Sequence, residues 1–158
     1  MPARQPDPAR IVAAVNEQRA ALGEPQLPPS DRSGPALGRA SVTAVRAAVD
    51  AGQEPLREAL RAATRYLLDI LAERAPGRAV EVRIPPYAAV QCVAGPRHTR
   101  GTPPNVIETD PLTWLDLATG RLDWATAVSG GKLRVSGPRA DVSDYLPLLR
   151  LRPPPEPG

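Results

Sequence analysis

Apolar positions recur along this chain with two different periods, and the period changes near the middle. In the first half the spacing is helical. Asp7-Pro8 supplies a side-chain acceptor followed by a proline at a first helical position, and Ile11, Val12, Val15 and Leu22 then form a modest apolar stripe up to Gly23. Residues 24–35, rich in Pro, Ser, Asp and Gly, read as a linker. A second helix is predicted over residues 36–51, ending at Gly52, with a small face of Ala40, Ala44, Ala47 and Ala48; Gly38 weakens its first turn. The clearest helix covers residues 55–75, where Leu56, Leu60, Ala63, Leu67, Ile70 and Leu71 recur at three- and four-residue spacing until Pro76-Gly77.

From residue 78 the period becomes two. Val80, Val82 and Ile84 alternate with Glu81 and Arg83, which predicts a half-buried strand over residues 78–84. Pro85-Pro86 interrupts it, and residues 87–93 and 105–109 are further strands. Between them, residues 94–104 are the most polar and turn-rich stretch of the chain. Asp110-Pro111 repeats the earlier start signal and opens a helix over residues 111–118. Asp123 caps a second short helix over 124–129, and a strand over 132–136 follows Gly130-Gly131. Val142, Tyr145, Leu146 and Leu149 suggest a last short helix, provided that Pro147 sits near its first turn. A helical first half followed by strands interleaved with short helices predicts an α+β domain with a small mixed sheet covered by helices. The expected division is a disordered stretch 1–7, a helical part 8–75, a sheet-and-helix part 76–149 of the same domain, and a Pro-rich tail 150–158.

Composition narrows the function classes. The 158 residues include 21 Pro, no Phe and a single lysine, Lys132, so the positive charge is almost all Arg. The net charge is only +3 and aromatics are 3% of the chain, with arginines scattered among acids. A nucleic-acid binder gathers its charge into a stripe and adds stacking aromatics, so that class is not expected. No apolar run approaches the ~20 residues of a membrane span, and no secretory signal is recognised, so a cytoplasmic protein is expected. One cysteine, Cys92, forms no internal disulfide and is compatible with a reducing compartment.

The run Val106-Ile107-Glu108-Thr109-Asp110-Pro111-Leu112-Thr113-Trp114-Leu115-Asp116-Leu117-Ala118-Thr119-Gly120-Arg121-Leu122-Asp123-Trp124, continued by Gly130-Gly131-Lys132-Leu133-Arg134-Val135-Ser136-Gly137, resembles the sterol carrier protein family. It has that family's order of strand, capped helix, Gly, second short helix and Gly-Lys-Leu-x-Val-x-Gly strand. The likeness covers residues from about 75 to 149, and it extends to the stand-alone bacterial members and to the C-terminal domains of mycothiol-dependent maleylpyruvate isomerases. It implies a sterol-carrier-like fold with a helical N-terminal extension, and an apolar cavity between sheet and helices that takes a fatty acid, sterol or similar ligand. The candidate core or wall residues it implies are Val90, Val106, Trp114, Leu115, Leu117, Leu133, Val135, Tyr145, Leu146 and Leu149. The family usually has five strands, whereas four are recognised here.

Polar chemistry is sparse. Arg97, His98 and Arg100, in the turn-rich loop, could hold a carboxylate or phosphate head at the mouth of such a cavity. Cys92 lies in an apolar strand, where an inert buried thiol is expected rather than a nucleophile. One His and one Cys fall short of the ligands a transition-metal site requires, so neither metal nor cofactor is expected. The N-terminal helices contain no His, so the metal-dependent activity of the isomerase relatives does not carry over. Gly130-Gly131-Lys132-Leu133 lacks the glycine spacing and the hydroxyl of a P-loop. The expectation is a non-catalytic binder of an apolar ligand. The alternative is a cavity-free interaction module that docks a protein partner through the stripe Arg57, Arg61 and Arg65.

Overall fold

The computed structural model describes residues 6–95 and 105–152. The chain divides after Tyr66 into two compact units. Among the described residues the helices are α1 (Pro8–Ala21), α2 (Gly34–Asp50), α3 (Arg57–Arg74), α4 (Pro111–Ala118) and α5 (Trp124–Ser129). The strands are β1 (Val80–Ile84), β2 (Ala88–Cys92), β3 (Asn105–Glu108) and β4 (Arg134–Ser136). Helix α3 runs through the division between the units. The architecture is α+β, with helices and a mixed four-stranded sheet.

In the first unit α1 and α2 pack against each other. The Asp7 carboxylate accepts from Ala9 N at 3.0 Å, so the cap read from the sequence is formed. Ile11, Ala14 and Val15 of α1 are buried, as are Leu37, Val42, Ala44, Val45 and Ala48 of α2. Buried hydroxyls on α2 and α3 bond back to carbonyls one turn earlier: Ser41 Oγ to Leu37 O and Thr64 Oγ1 to Leu60 O, both at 2.8 Å. The stretch 24–35 is more firmly held than a linker. Leu27 is buried, its N–H donates to Asn16 Oδ1 at 2.7 Å, and its carbonyl accepts two bonds from the Arg32 guanidinium. Gly38 sits inside α2 because a Cβ there would lie 2.3 Å from the Tyr66 ring. The cost in helix propensity is offset by close approach of that aromatic.

In the second unit the sheet order is β2-β1-β3-β4. β1 pairs antiparallel with β2 and parallel with β3, and β3 pairs antiparallel with β4. Alternation decides the faces. Val80, Val82 and Ile84 of β1, Cys92 of β2 and Ile107 of β3 share one face and are fully or almost fully buried. The opposite face carries Glu81, Arg83, Glu108 and Arg134. Arg83 donates to Glu81, and Arg134 lies 3.9 Å from Glu108. The remaining fully buried side chains of the unit include Leu67, Leu68 and Leu71 of α3 and Trp114, Leu115, Leu117 and Ala118 of α4.

Buried polar groups fix the ends of the strands. Asn105 Nδ2 donates to Ala79 O at 2.9 Å and its Oδ1 accepts from Arg139 N at 2.8 Å, which ties the start of β3 to β1 and to the segment after β4. Thr109 Oγ1 donates to Lys132 O at 2.6 Å. At the start of the sheet the chain is forced into tight quarters. Gly77 has φ +148° and a Cβ there would lie 2.1 Å from Val93 O. Val93 itself has φ +65°, a strained value for a β-branched residue. It is held there by Val93 N donating to Ala75 O (2.7 Å) and Val93 O accepting from Ala79 N (3.0 Å). Gly77→Ala is therefore expected to destabilise the protein by about 2–3 kcal/mol in urea unfolding. Gly23→Ala, where only the positive φ opposes the new side chain, is expected to cost about 1 kcal/mol. Equal losses at the two positions would contradict the close-approach argument.

Candidate functional site

Helices α4 and α5 begin in the same way. The Asp110 carboxylate accepts from Thr113 N at 2.9 Å and Thr113 Oγ1 at 2.6 Å. Asp123 accepts from Thr126 N and Thr126 Oγ1, each at 2.8 Å. Each Asp-x-x-Thr unit satisfies an orphan backbone donor and locks the carboxylate as an acceptor. Hydrogen bonds from the Thr126 backbone and hydroxyl hold the Asp123 carboxyl below its ordinary pKa. Between the helices the chain turns sharply at Gly120 (φ +81°), and Arg121 N and Leu122 N both donate to Asp116 O.

The segment after β4 differs from the sequence expectation. Instead of a helix over 142–149 there is a single 3-10 turn, Ser143–Tyr145. Proline explains the difference: Pro147 has no N–H, and it disfavours helical geometry at the preceding residue. Leu146 is accordingly extended, at φ −98° and ψ +146°. Beyond the cis Leu146–Pro147 peptide the chain docks on the end of α4, with Leu148 N and Leu149 N donating to Ala118 O at 2.8 and 3.2 Å.

This docking leaves a cleft of about 260 Å³ between the α4–α5 turn and the C-terminal segment. Leu117, Leu122, Trp124, Leu146 and Pro147 give it apolar walls, and Gly120, Asp123 and Ser143 complete the lining. Trp124, Leu122 and Leu146 are half-buried, so a guest could cover them further. A second cleft, of about 290 Å³, is polar. It is lined by Pro85, Glu108, Thr109, Asp110, Gly131, Lys132 and Arg134, with carboxylates and cations mixed.

The residues that the sequence points to are distributed unevenly about these clefts. Leu117 and Leu146 line the apolar one. Trp114, Leu115 and Leu133 are 5% exposed or less and belong to the packed interior, as does Leu149 at 9%. Val90 and Tyr145 are half-buried. Val106 lies on the charged face of the sheet, between Glu81 and Ser136 in the register, because Asn105 and Ile107 take the buried positions of β3. Val135 is 42% exposed on a three-residue edge strand. Arg97, His98 and Arg100 lie outside the described residues. Leu122, Trp124, Gly120 and Pro147 join the site from turns and element ends, where no period in the sequence marks them. Among the described residues no three His, Cys, Asp or Glu side chains come together as metal ligands. No described helix is long and apolar enough to cross a membrane.

The arrangement of a small mixed sheet, tandem capped helices and a docked C-terminal segment is that of a sterol-carrier-like domain. The chain belongs to the bacterial SCP ortholog family, whose model matches residues 56–148, more than half of the chain. The match starts just before α3, so α1 and α2 precede it. No curated protein matches the chain.

Cys92 is fully buried on β2, and burial pushes its thiol up to about 11. A thiol reagent at pH 8 should therefore label the native protein far more slowly than the urea-unfolded chain. Labelling at similar rates would place the thiol in solvent. Removing the acceptor in Asp110→Ala should cost about 1 kcal/mol of stability, and Asp110→Asn a few tenths, both measured by urea unfolding.

Proposed function

We propose that this protein binds an apolar, lipid-like ligand without catalysing a reaction on it, and that the cleft between the α4–α5 turn and the C-terminal segment receives the apolar part. The observation that carries the reading is the cluster Leu117, Leu122, Trp124, Leu146 and Pro147 at an open cleft, in a chain of the SCP ortholog family. Ligand pockets are concave and mostly apolar with a few polar groups, and this cleft has that character. Its volume, just under the usual range, suits a short chain or the end of a longer one. Each methylene buried there contributes up to ~0.8 kcal/mol before ordering costs. Among the described residues no proton-transfer or nucleophilic set lines the cleft. Asp123 is engaged in capping, and Ser143 has neither His nor Lys among the other lining residues.

Trp124 makes the test direct. Titration with a twelve-carbon alcohol should blue-shift and saturate the tryptophan fluorescence, and Trp124→Leu should remove most of that change. Leu146→Ala should weaken binding by roughly five-fold, because the shorter side chain covers less of the alkyl chain. Mass spectrometry of natively purified protein should detect a retained apolar compound. No saturable change together with repeatedly empty spectra would overturn the reading in favour of a cavity-free interaction module.

A further inference from the structure

Among the described residues the charge on the lining of the apolar cleft is negative. Among the described residues Asp123 is the only charged side chain that lines it. Ser143, the other polar side chain of the lining, is flanked by Asp141 and Asp144, and the Asp141 carboxylate accepts from Ser143 N at 2.7 Å. Arg121, exposed in the same turn as Gly120 and Leu122, does not line the cleft and makes interactions of its own. The Asp123 carboxylate cannot turn away. Its two oxygens are fixed by Thr126 N and Thr126 Oγ1 at 2.8 Å each, and those bonds also favour its ionised form. An amphiphile with its chain against Leu117, Leu122 and Leu146 and its head at the Asp123 end of the lining meets this carboxylate.

We propose that the cleft selects single-chain amphiphiles with a cationic head and discriminates against those with a carboxylate head. The proposal rests on the reading of the cleft as an apolar-chain site. Attraction to an exposed carboxylate at the rim favours an ammonium group, and the same carboxylate repels an anion. The chain supplies the bulk of the binding and the rim charge supplies the preference.

The test compares dodecylamine, dodecanol and dodecanoate, identical in chain and different in head, by tryptophan fluorescence at neutral pH and low salt. The amine should bind roughly five-fold or more tighter than the carboxylate, with the alcohol between them. Asp123→Asn keeps the helix cap, since Asn caps as well as Asp, and should shrink the amine-to-carboxylate ratio at least by half. In the unaltered protein, salt of about 0.5 M should shrink it as well, by screening. Equal affinities for the three probes, tighter binding of dodecanoate, or a ratio indifferent to both Asp123→Asn and salt would overturn the selectivity while leaving an apolar site. Failure of all three probes to bind would overturn the apolar site and the selectivity together.

Discussion

The C-terminal half is organised around the carbonyl of Ala118. A helix leaves its last carbonyls without intrahelical partners, and in α4 the turn that follows covers those of Leu115, Asp116 and Leu117. Here Leu148 N and Leu149 N both turn to Ala118 O. That junction stops the C-terminal segment from wandering, sets Leu146 and Pro147 opposite Leu122 and Trp124, and leaves the gap between them as a cleft. Without it the apolar side chains of residues 142–149 would have no fixed surface to face.

The junction is effective because α4 is itself held firmly. Asp110 and Thr113 start it, and Trp114, Leu115, Leu117 and Ala118 are almost wholly buried. Asn105 and Thr109 fasten the strand before it, one to the start of β1 and one to the turn before β4. These side chains thus lie in the interior of the unit, while the apolar cleft opens at the rim where turns meet. Apolar burial gives the stability, while a few satisfied polar groups decide which backbone ends meet.

Much of this is legible in the residues themselves. Strict alternation over Val80–Ile84 gives away both the strand and its faces, and the Asp-Pro and Asp123 start signals mark α1, α4 and α5 to the residue or nearly so. The failures have physical causes. In β3 Asn105 and Ile107 take the buried positions and Val106 and Glu108 the charged face, so the wall position that the resemblance implies for Val106 is not where the strand puts it. The apolar spacing of Val142, Tyr145, Leu146 and Leu149 mimics a helix that Pro147 forbids. The cleft is only half visible in the sequence: Leu117 and Leu146 stand out in their apolar runs, but Leu122, Trp124 and Pro147 converge through turns and hydrogen bonds distant in sequence. Gly38 and Gly77 read as a weak point and a helix stop, whereas each marks a close approach.

An NMR titration of the isotopically labelled full chain with an uncharged long-chain alcohol examines the central claim most directly. On this account the methyl and amide shifts concentrate on Leu117, Leu122, Trp124 and Leu146, with the buried Trp114 and Leu133 nearly silent. Shifts centred on Trp114 and Leu133, or on α1 and α2, with the cleft residues unmoved, would contradict it.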